Sequence, residues 1–295
     1  MPKKNDLIGL RITLLAEDSV GYESPYLGQH GISLLLEAER EGCTKAILVD
    51  VAQDPSALLE NMKRMDISPS CIDAVVLTHC HYDHTRGLSK VLHRIGKRDV
   101  PVIAHPGLFR PHFVTRPFLT QVGVMQGDGP AEIQDAGGTP FLTRDPLELM
   151  PGLQTSGEVE RKTDFEDPGI SLFTIENGEV KSDPVPDDLS VVATVENKGL
   201  VIVTGCSHAG IVNIVRQAVD RSETKKIHGI VGGFHLIEAS EERIQKTASA
   251  LKALEPDWVL AGHCTGFRAQ VALYQAFGKR FSPLHTGMVI HVTRG

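Results

Sequence analysis

Thr78-His79-Cys80-His81-Tyr82-Asp83-His84 follows the apolar run Ala74-Val75-Val76-Leu77 and precedes Gly87-Leu88. An apolar, β-rich run that stops at a polar cluster reads as a buried strand handing its last residues to a loop, with a helix beginning near His84. Three imidazoles and a carboxylate within six positions share one small volume. His79 and His81 are alternate residues, so a locally extended chain points both rings the same way, while Asp83 and His84 face a second point nearby. One cluster can then hold two divalent metal ions, zinc first, with manganese or iron as alternatives. Structural zinc normally uses cysteine pairs, and no Cys-x-x-Cys occurs in the chain. The plainer reading, solvated loop histidines with Asp83 as a helix cap, explains one such residue better than four.

Outward from this motif, strands keep ending in polar loops. Residues 10–15 and 32–37 read as strands on either side of the turn Gly28-Gln29-His30-Gly31, which leaves His30 as a surface turn residue or a site group. Residues 46–51 read as a buried strand carrying Asp50. Asp50 is open to two roles, a cap for a helix over 55–65 or a carboxylate that orients a ligand histidine. Residues 88–95 form a short amphipathic helix and 100–105 another strand.

From about residue 107 to 188 the periodicity lapses and Gly and Pro recur, as in Gly127-Asp128-Gly129-Pro130. A stretch this long reads as a functional insertion, in which Arg110, His112, Arg116 and Arg161 are candidate anion-binding groups or solvated surface. Regular structure returns with a hairpin over 189–204 through Glu196-Asn197-Lys198-Gly199. Its second strand runs into Gly205-Cys206-Ser207-His208 and a helix, repeating the logic of the first cluster, so His208 is expected as a third imidazole ligand beside His79 and His81. A strand over 227–231 leads to Gly232-Gly233-Phe234-His235-Leu236. Ser240 caps the next helix, and a strand over 257–260 leads to Gly262-His263-Cys264-Thr265-Gly266. Four strand ends thus deliver Asp50, His79, His208 and His263 to one side of the fold.

The 295 residues, 41% hydrophobic, suffice for a single large two-sheet domain over 1–295. A formal net charge of -7 argues against nucleic-acid or anionic-membrane partners, both of which need a basic footprint. The five cysteines, Cys43, Cys71, Cys80, Cys206 and Cys264, are odd in number and unpaired in spacing, as in a reduced cytoplasmic protein. Met1-Pro2-Lys3-Lys4 leads into no long apolar stretch, so neither a secretory signal nor a membrane span is expected.

On His79-x-His81-x-Asp83-His84 after a strand, the chain resembles the metallo-β-lactamase superfamily. The resemblance implies an α+β fold, a four-layer αββα sandwich with metals at the edges of its two sheets. It also implies that Asp50 supports the metal loop, that His263 joins Asp83 and His84 at a second metal, and that 107–188 forms a lid choosing the substrate. The commonest superfamily pattern places a metal-bridging Asp where Cys206 stands, so Cys206 is either a thiolate ligand or the mark of a lost bridge. Members that destroy β-lactams act outside the cytoplasm, which points to another branch. Gly205-Cys206-Ser207-His208, Gly232-Gly233-Phe234-His235-Leu236 and Gly262-His263-Cys264-Thr265-Gly266, with Gly28-Gln29-His30-Gly31 and Ser156-Gly157-Glu158, resemble one in particular. It is the branch named for 7,8-dihydropterin-6-methyl-4-(β-D-ribofuranosyl)-aminobenzene 5′-phosphate synthase, which implies pterin and ribose-phosphate chemistry. His235 is then expected to face substrate or to support a ligand.

A bound divalent ion lowers the pKa of water from about 15.7 to about 7, stabilising hydroxide by roughly 12 kcal/mol. The expected activity is hydrolysis of a small, anionic phosphorylated or cyclic-phosphate substrate. Asp83 would orient the nucleophile and accept its proton, and His235 or His30 would steady the leaving oxygen. Synthase chemistry on a phosphorylated pterin precursor, with the metals as Lewis acids, is the alternative. A diiron redox enzyme and a metal-stabilised effector-binding protein stay open.

Overall fold

The central strands of this chain, such as residues 190–195, 199–204 and 227–233, are buried on both faces, and the two faces feed different cores. The computed structural model describes residues 6–167 and 171–295. Met1-Pro2-Lys3-Lys4 and residues 168–170 of the expected insertion lie outside the described residues. The chain begins with β1 (Gly9–Ala16), β2 (Ser33–Arg40), β3 (Cys43–Val49), α1 (Pro55–Arg64), β4 (Ala74–Val76), α2 (Tyr82–Thr85), α3 (Leu88–Ile95) and β5 (Val100–Ala104). Its middle contributes β6 (Phe113–Val114), β7 (Thr120–Gln121), α4 (Pro130–Asp135), β8 (Gly138–Leu142), β9 (Glu148–Met150), β10 (Leu153–Thr155), β11 (Phe173–Glu176) and β12 (Glu179–Ser182). The last part runs β13 (Ser190–Val195), β14 (Gly199–Thr204), α5 (Ile211–Arg221), β15 (Ile227–Gly233), α6 (Glu241–Ala253), β16 (Trp258–Gly262), α7 (Phe267–Phe277), β17 (Phe281–Pro283) and β18 (Val289–Thr293).

One seven-stranded sheet has the order β18-β1-β2-β3-β4-β5-β8 and the other β17-β16-β15-β14-β13-β10-β9. Their inner faces meet: Leu34, Leu36, Ile47 and Val49 from the first sheet share a core with Val191, Val201, Val203 and Val231 from the second. The opposite faces are covered by helices. Leu35, Leu48 and Val75 pack on Leu58, Met62, Val91 and Leu92 of α1 and α3, and Ile202, Ile230 and Val259 pack on Ile214, Ile244 and Leu273 of α5, α6 and α7. The result is four layers, αββα. At about 1.5–3 kcal/mol for each fully buried aliphatic side chain, these three cores supply the main drive for folding.

Two consequences bear on the site. Strands β3, β4, β5 and β8 run parallel, as do β14, β15, β16 and β17. Parallel neighbours joined by crossover helices end at the same edge, so the loops after β3 and β4 meet those after β14, β15 and β16.

The second consequence concerns the range 107–188, expected to form an insertion over the site. Within that range β8 extends the first sheet, with Ile133 of α4 packed in the core on its helix-covered face, while β9 and β10 extend the second. The remainder, β6, β7, β11 and β12, forms a small four-stranded sheet. The sandwich strands there escaped the period-2 pattern because they are three to five residues long. Moreover, β8 carries Pro140 at the outer edge of its sheet, where a missing N–H is tolerated.

Candidate metal centre

Asp50, fully buried just past β3, is the bracket on which the site is hung. One oxygen accepts from the Thr78 backbone N–H at 2.8 Å; the other accepts from the Thr78 hydroxyl at 2.7 Å and lies 2.7 Å from His84 Nδ1. Helix α1 is capped instead by Asp54, which accepts from Ser56 N–H at 2.8 Å, so the cap role does not fall to Asp50. Gly205, at the end of β14, packs directly on this bracket, where a Cβ would stand 2.1 Å from Thr78 Oγ1. Gly31 does the same for the His30 turn. Its φ is +106°, and a Cβ would sit 2.0 Å from the Asp83 carbonyl.

The side chains so positioned fall into two groups. His81 Nδ1 lies 3.0 Å from His79 Nε2 and 3.2 Å from His208 Nε2, with all three rings buried. Asp83 Oδ2 lies 3.2 Å from His263 Nε2 and 3.5 Å from His84 Nε2. Cys206 joins both groups. Its sulfur is 3.1 Å from His84 Nε2, and its ligand atom lies within 4.8 Å of those of Asp83, His84 and His263 on one side and of His79 and His208 on the other. A thiol therefore occupies the position between the two groups.

This donor set suits divalent ions. A neutral imidazole has one donor and one acceptor nitrogen, so three ring nitrogens converging on one buried point cannot all satisfy each other. A cation among them can. Burial first, and then the neighbouring imidazoles, hold His79 and His208 well below the ordinary histidine range. Burial, helped by the neighbouring imidazoles, likewise holds His81 well below that range against the opposing pull of Asp83. These rings therefore keep their lone pairs, as ligands must. In the second group burial alone would raise Asp83, but His84 and His263 outweigh it and hold the carboxyl well below its ordinary value. Burial would depress His84 and His263. Asp83 and Asp50 overcome it for His84, and Cys264, Asp18 and Asp83 for His263.

Around the donors stands a ring of supporting groups. Asp18, just past β1, places one oxygen 2.6 Å from His263 Nδ1 and the other 2.9 Å from His30 Nδ1. His30 Nε2 is 3.4 Å from Asp83 Oδ2, and its side chain is 48% exposed, which puts it at the rim. The neighbouring Glu17 accepts from the His263 backbone N–H. On the other flank His81 Nε2 is 2.8 Å from His112 Nε2, and His112 Nδ1 is 2.7 Å from Asp183 Oδ2. Carboxylates behind ligand histidines fix tautomer and ring orientation.

Of the residues expected from sequence, His79, His81, Asp83, His84, Cys206, His208 and His263 converge, with Asp50 behind them and His30 at the rim. His235 lies on the sulfur side, its ring centroid 4.0 Å from that of His208. The candidate anion-binding set needs correction. Arg110 is held by Asp183 and Asp187, His112 serves His81, and Arg161 donates to the carbonyls of His208, Pro184 and Val185. Three of the four are thus tied up inside the fold, while Arg116 is exposed between β6 and β7. Sequence reasoning missed Asp18, Glu17 and Asp183, and took His112 for an anion-binding candidate rather than a partner of His81. Glu17-Asp18 at the end of β1 carries the same signal as Asp50, an acid where an apolar strand stops.

The sequence pattern of the metallo-β-lactamase superfamily matches residues 33–263. Over 284 residues the chain is 43% identical to the 7,8-dihydropterin-6-methyl-4-(β-D-ribofuranosyl)-aminobenzene-5′-phosphate synthase of Methanocaldococcus jannaschii, covering 95% of this chain and 96% of that one. An uncharacterised protein of the same organism is 30% identical over 278 residues, covering 93% and 98%. Among solved structures, a metal-dependent hydrolase of the β-lactamase superfamily aligns with a TM-score of 0.81 at 24% identity, over 96% of this chain and 99% of that one. At that identity the likeness is one of fold.

Proposed function

This chain belongs to the metallo-β-lactamase superfamily and is an enzyme of it, a hydrolase or a synthase, and we propose the synthase. In this reading it holds two divalent ions, zinc by preference, and joins a dihydropterin to a phosphorylated ribofuranosyl-aminobenzene. What carries the reading is 43% identity to a synthase of that name across almost the whole of both chains. The first ion would be held by His79, His81 and His208, the second by Asp83, His84 and His263, with the Cys206 sulfur between them. Nitrogen, oxygen and sulfur donors in one site favour zinc over harder ions.

Coupling forms a bond between the aminobenzene nitrogen and the pterin's 6-methyl carbon. A leaving group departs from that carbon with the bonding electron pair, and the amine gives up a proton. Bound ions would supply Lewis acidity that stabilises the departing oxyanion. His30 handles the proton there: its hydrogen bond to Asp18 shifts it upward from the ordinary histidine value, which favours the protonated ring, and it presents Nε2 at the rim. Asp18 keeps Nδ1 of the same ring occupied. Asp83 receives the amine's proton, and a weak base suffices because an alkylated anilinium is itself acidic. Of the two expected candidates for the leaving oxygen, His30 takes the role and His235 does not.

Hydrolysis of a small phosphoester or cyclic phosphate uses the same groups with water in place of the amine. The half-exposed rim at His30 and Asp18, open to solvent, is the observation that favours it. All five cysteines are free, which supports a reducing, cytoplasmic setting. No helix among the described residues is long and apolar enough to cross a membrane.

The deciding experiment supplies zinc-loaded protein with 4-(β-D-ribofuranosyl)aminobenzene 5′-phosphate and a dihydropterin bearing a phosphate or diphosphate on its 6-methyl carbon. Mass spectrometry then looks for the coupled product. Product that disappears with chelator supports the synthase. Phosphoester hydrolysis without any coupled product would replace it with the hydrolase.

A further inference from the structure

Cys206 also belongs to a third group of donors, whose other members, His235 and Cys264, the proposed chemistry leaves unused. Cys206, His235 and Cys264 offer two sulfurs and an imidazole nitrogen within 4.8 Å of one another. We propose that these three residues form a further metal site, adjoining the histidine-rich centre through the Cys206 sulfur, which takes one thiophilic divalent ion such as zinc or cadmium. The inference rests on the metal reading of the main centre.

The local backbone is built around this cluster. The chain leaves β15 through Gly232, with φ of +141°, and a Cβ there would stand 2.1 Å from the Thr204 carbonyl. At Gly233 a Cβ would stand 2.7 Å from Cys264 Sγ, so only glycine lets the sulfur approach this strand end. His235 then adopts φ of +42°, a region a side-chain-bearing residue occupies only when its surroundings hold it there. The holding contacts are Leu236 N–H and Ile237 N–H to the Cys264 carbonyl, at 3.0 and 3.1 Å. The two segments that carry the donors are therefore fastened to each other.

The polar groups point the same way. The His235 backbone N–H donates to Cys264 Sγ at 3.3 Å, and N–H donors aimed at sulfur are a recurrent means of stabilising a ligating thiolate. Both ring nitrogens of His235 are buried, and neither has a well-directed hydrogen-bond partner among the described residues. His84, His112 and His263 each have a carboxylate behind the ring. His235 alone of the site histidines named here offers two unengaged nitrogens toward a pair of buried sulfurs. Two sulfurs and one nitrogen make a softer set than either group of the main centre, so the site selects thiophilic ions and rejects magnesium and calcium.

Cadmium titration of chelator-stripped, reduced protein tests this, with bound metal counted by equilibrium dialysis and sulfur ligation read from thiolate-to-cadmium absorbance. The parent is expected to bind three equivalents. Cys264→Ser should bind two, with reduced thiolate absorbance, and His235→Ala should weaken the third equivalent by about tenfold or more. If the parent and Cys264→Ser both bind two with the same absorbance, the third site is overturned and the main centre stands. If the parent binds none, both readings fall. Should Cys264→Ser give no cooperative melt, His235→Ala decides: unchanged binding of three equivalents overturns the site, and selective loss of one supports it.

Discussion

Replacing Asp18 by Asn removes a charge while keeping the shape of the side chain. In the parent, one oxygen stands 2.6 Å from His263 Nδ1 and the other 2.9 Å from His30 Nδ1. The Asn oxygen can keep one of these bonds, but its NH2 then meets the N–H of the second ring. Hydrogen bonds to charged groups are worth about 1.5–3 kcal/mol when shielded. The Asp18 side chain is 37% exposed, so screening places the loss near the lower end. Removing a carboxylate behind a ligating histidine reduces metal affinity roughly 10- to 100-fold, or about 1.4–2.7 kcal/mol. The expectation here is about tenfold. It falls on one equivalent only, the ion held by Asp83, His84 and His263. Competition with a chromophoric chelator should show that single shift, while the equivalent held by His79, His81 and His208 stays in place. The metal-free protein should lose no more than about 1.5 kcal/mol of stability, the screened worth of these bonds. Unchanged affinity for every equivalent would refute the assignment of Asp18 as a positioning residue. An equal shift in all of them would show that the change is global rather than local.

Other expectations follow from the same geometry. Asp183→Asn, behind His112 and His81, should weaken the opposite equivalent by less than about tenfold, because one more ring separates it from the ion; a larger effect on the Asp83 equivalent, in the same competition assay, would contradict the relay. Cys206→Asp should retain the main centre but shift its preference from cadmium toward manganese, whereas Cys206→Ala should loosen both ions; identical metal selectivity in parent and Cys206→Asp would show that the sulfur is not a ligand. His81→Ala should abolish turnover while circular dichroism shows a folded chain, and full turnover in that variant would remove the metal centre from the chemistry. Burial pushes Asp188 up to about 7, against an unfolded value near 3.9. Between these values the folded chain holds a proton that the unfolded chain has released. Stability of the metal-free protein therefore falls as pH rises from about 4 to about 7, by about 1.4 kcal/mol per unit from this group. Denaturant melts of Asp188→Asn should show a correspondingly shallower slope, and a slope equal to the parent's would contradict the assignment.

The parts of this fold that could be read in the sequence are those where local and global signals agree. Runs such as Leu200-Val201-Ile202-Val203 are apolar on both faces because sheet, sheet and helix layers stack on them, and each stops where the next residue must reach the site. Asp50, His79, His208 and His263 were visible for that reason. Asp18 bears the same mark but lies two residues beyond the apolar run, past the register shift that β1 carries between Leu14 and Ala16. His112 had no such mark. It sits beside a two-residue strand, and only the fold brings it to His81, 31 positions away. The pairing of Arg110 with Asp183 and Asp187 is likewise a product of tertiary structure, so an arginine that looked free for substrate was already engaged. The strand β18, which lies beside β1 at the edge of the first sheet, is mostly exposed or half-buried and shows little alternation to read.

Metal content is the most direct test of the account. Protein purified without chelator, loaded with zinc and desalted, is predicted to carry at least two zinc equivalents per chain by elemental analysis, and fewer than one after both His81 and His263 are changed to Ala. A parent chain that retains less than one equivalent, or a double variant that retains as much as the parent, would contradict a metal centre built from these residues.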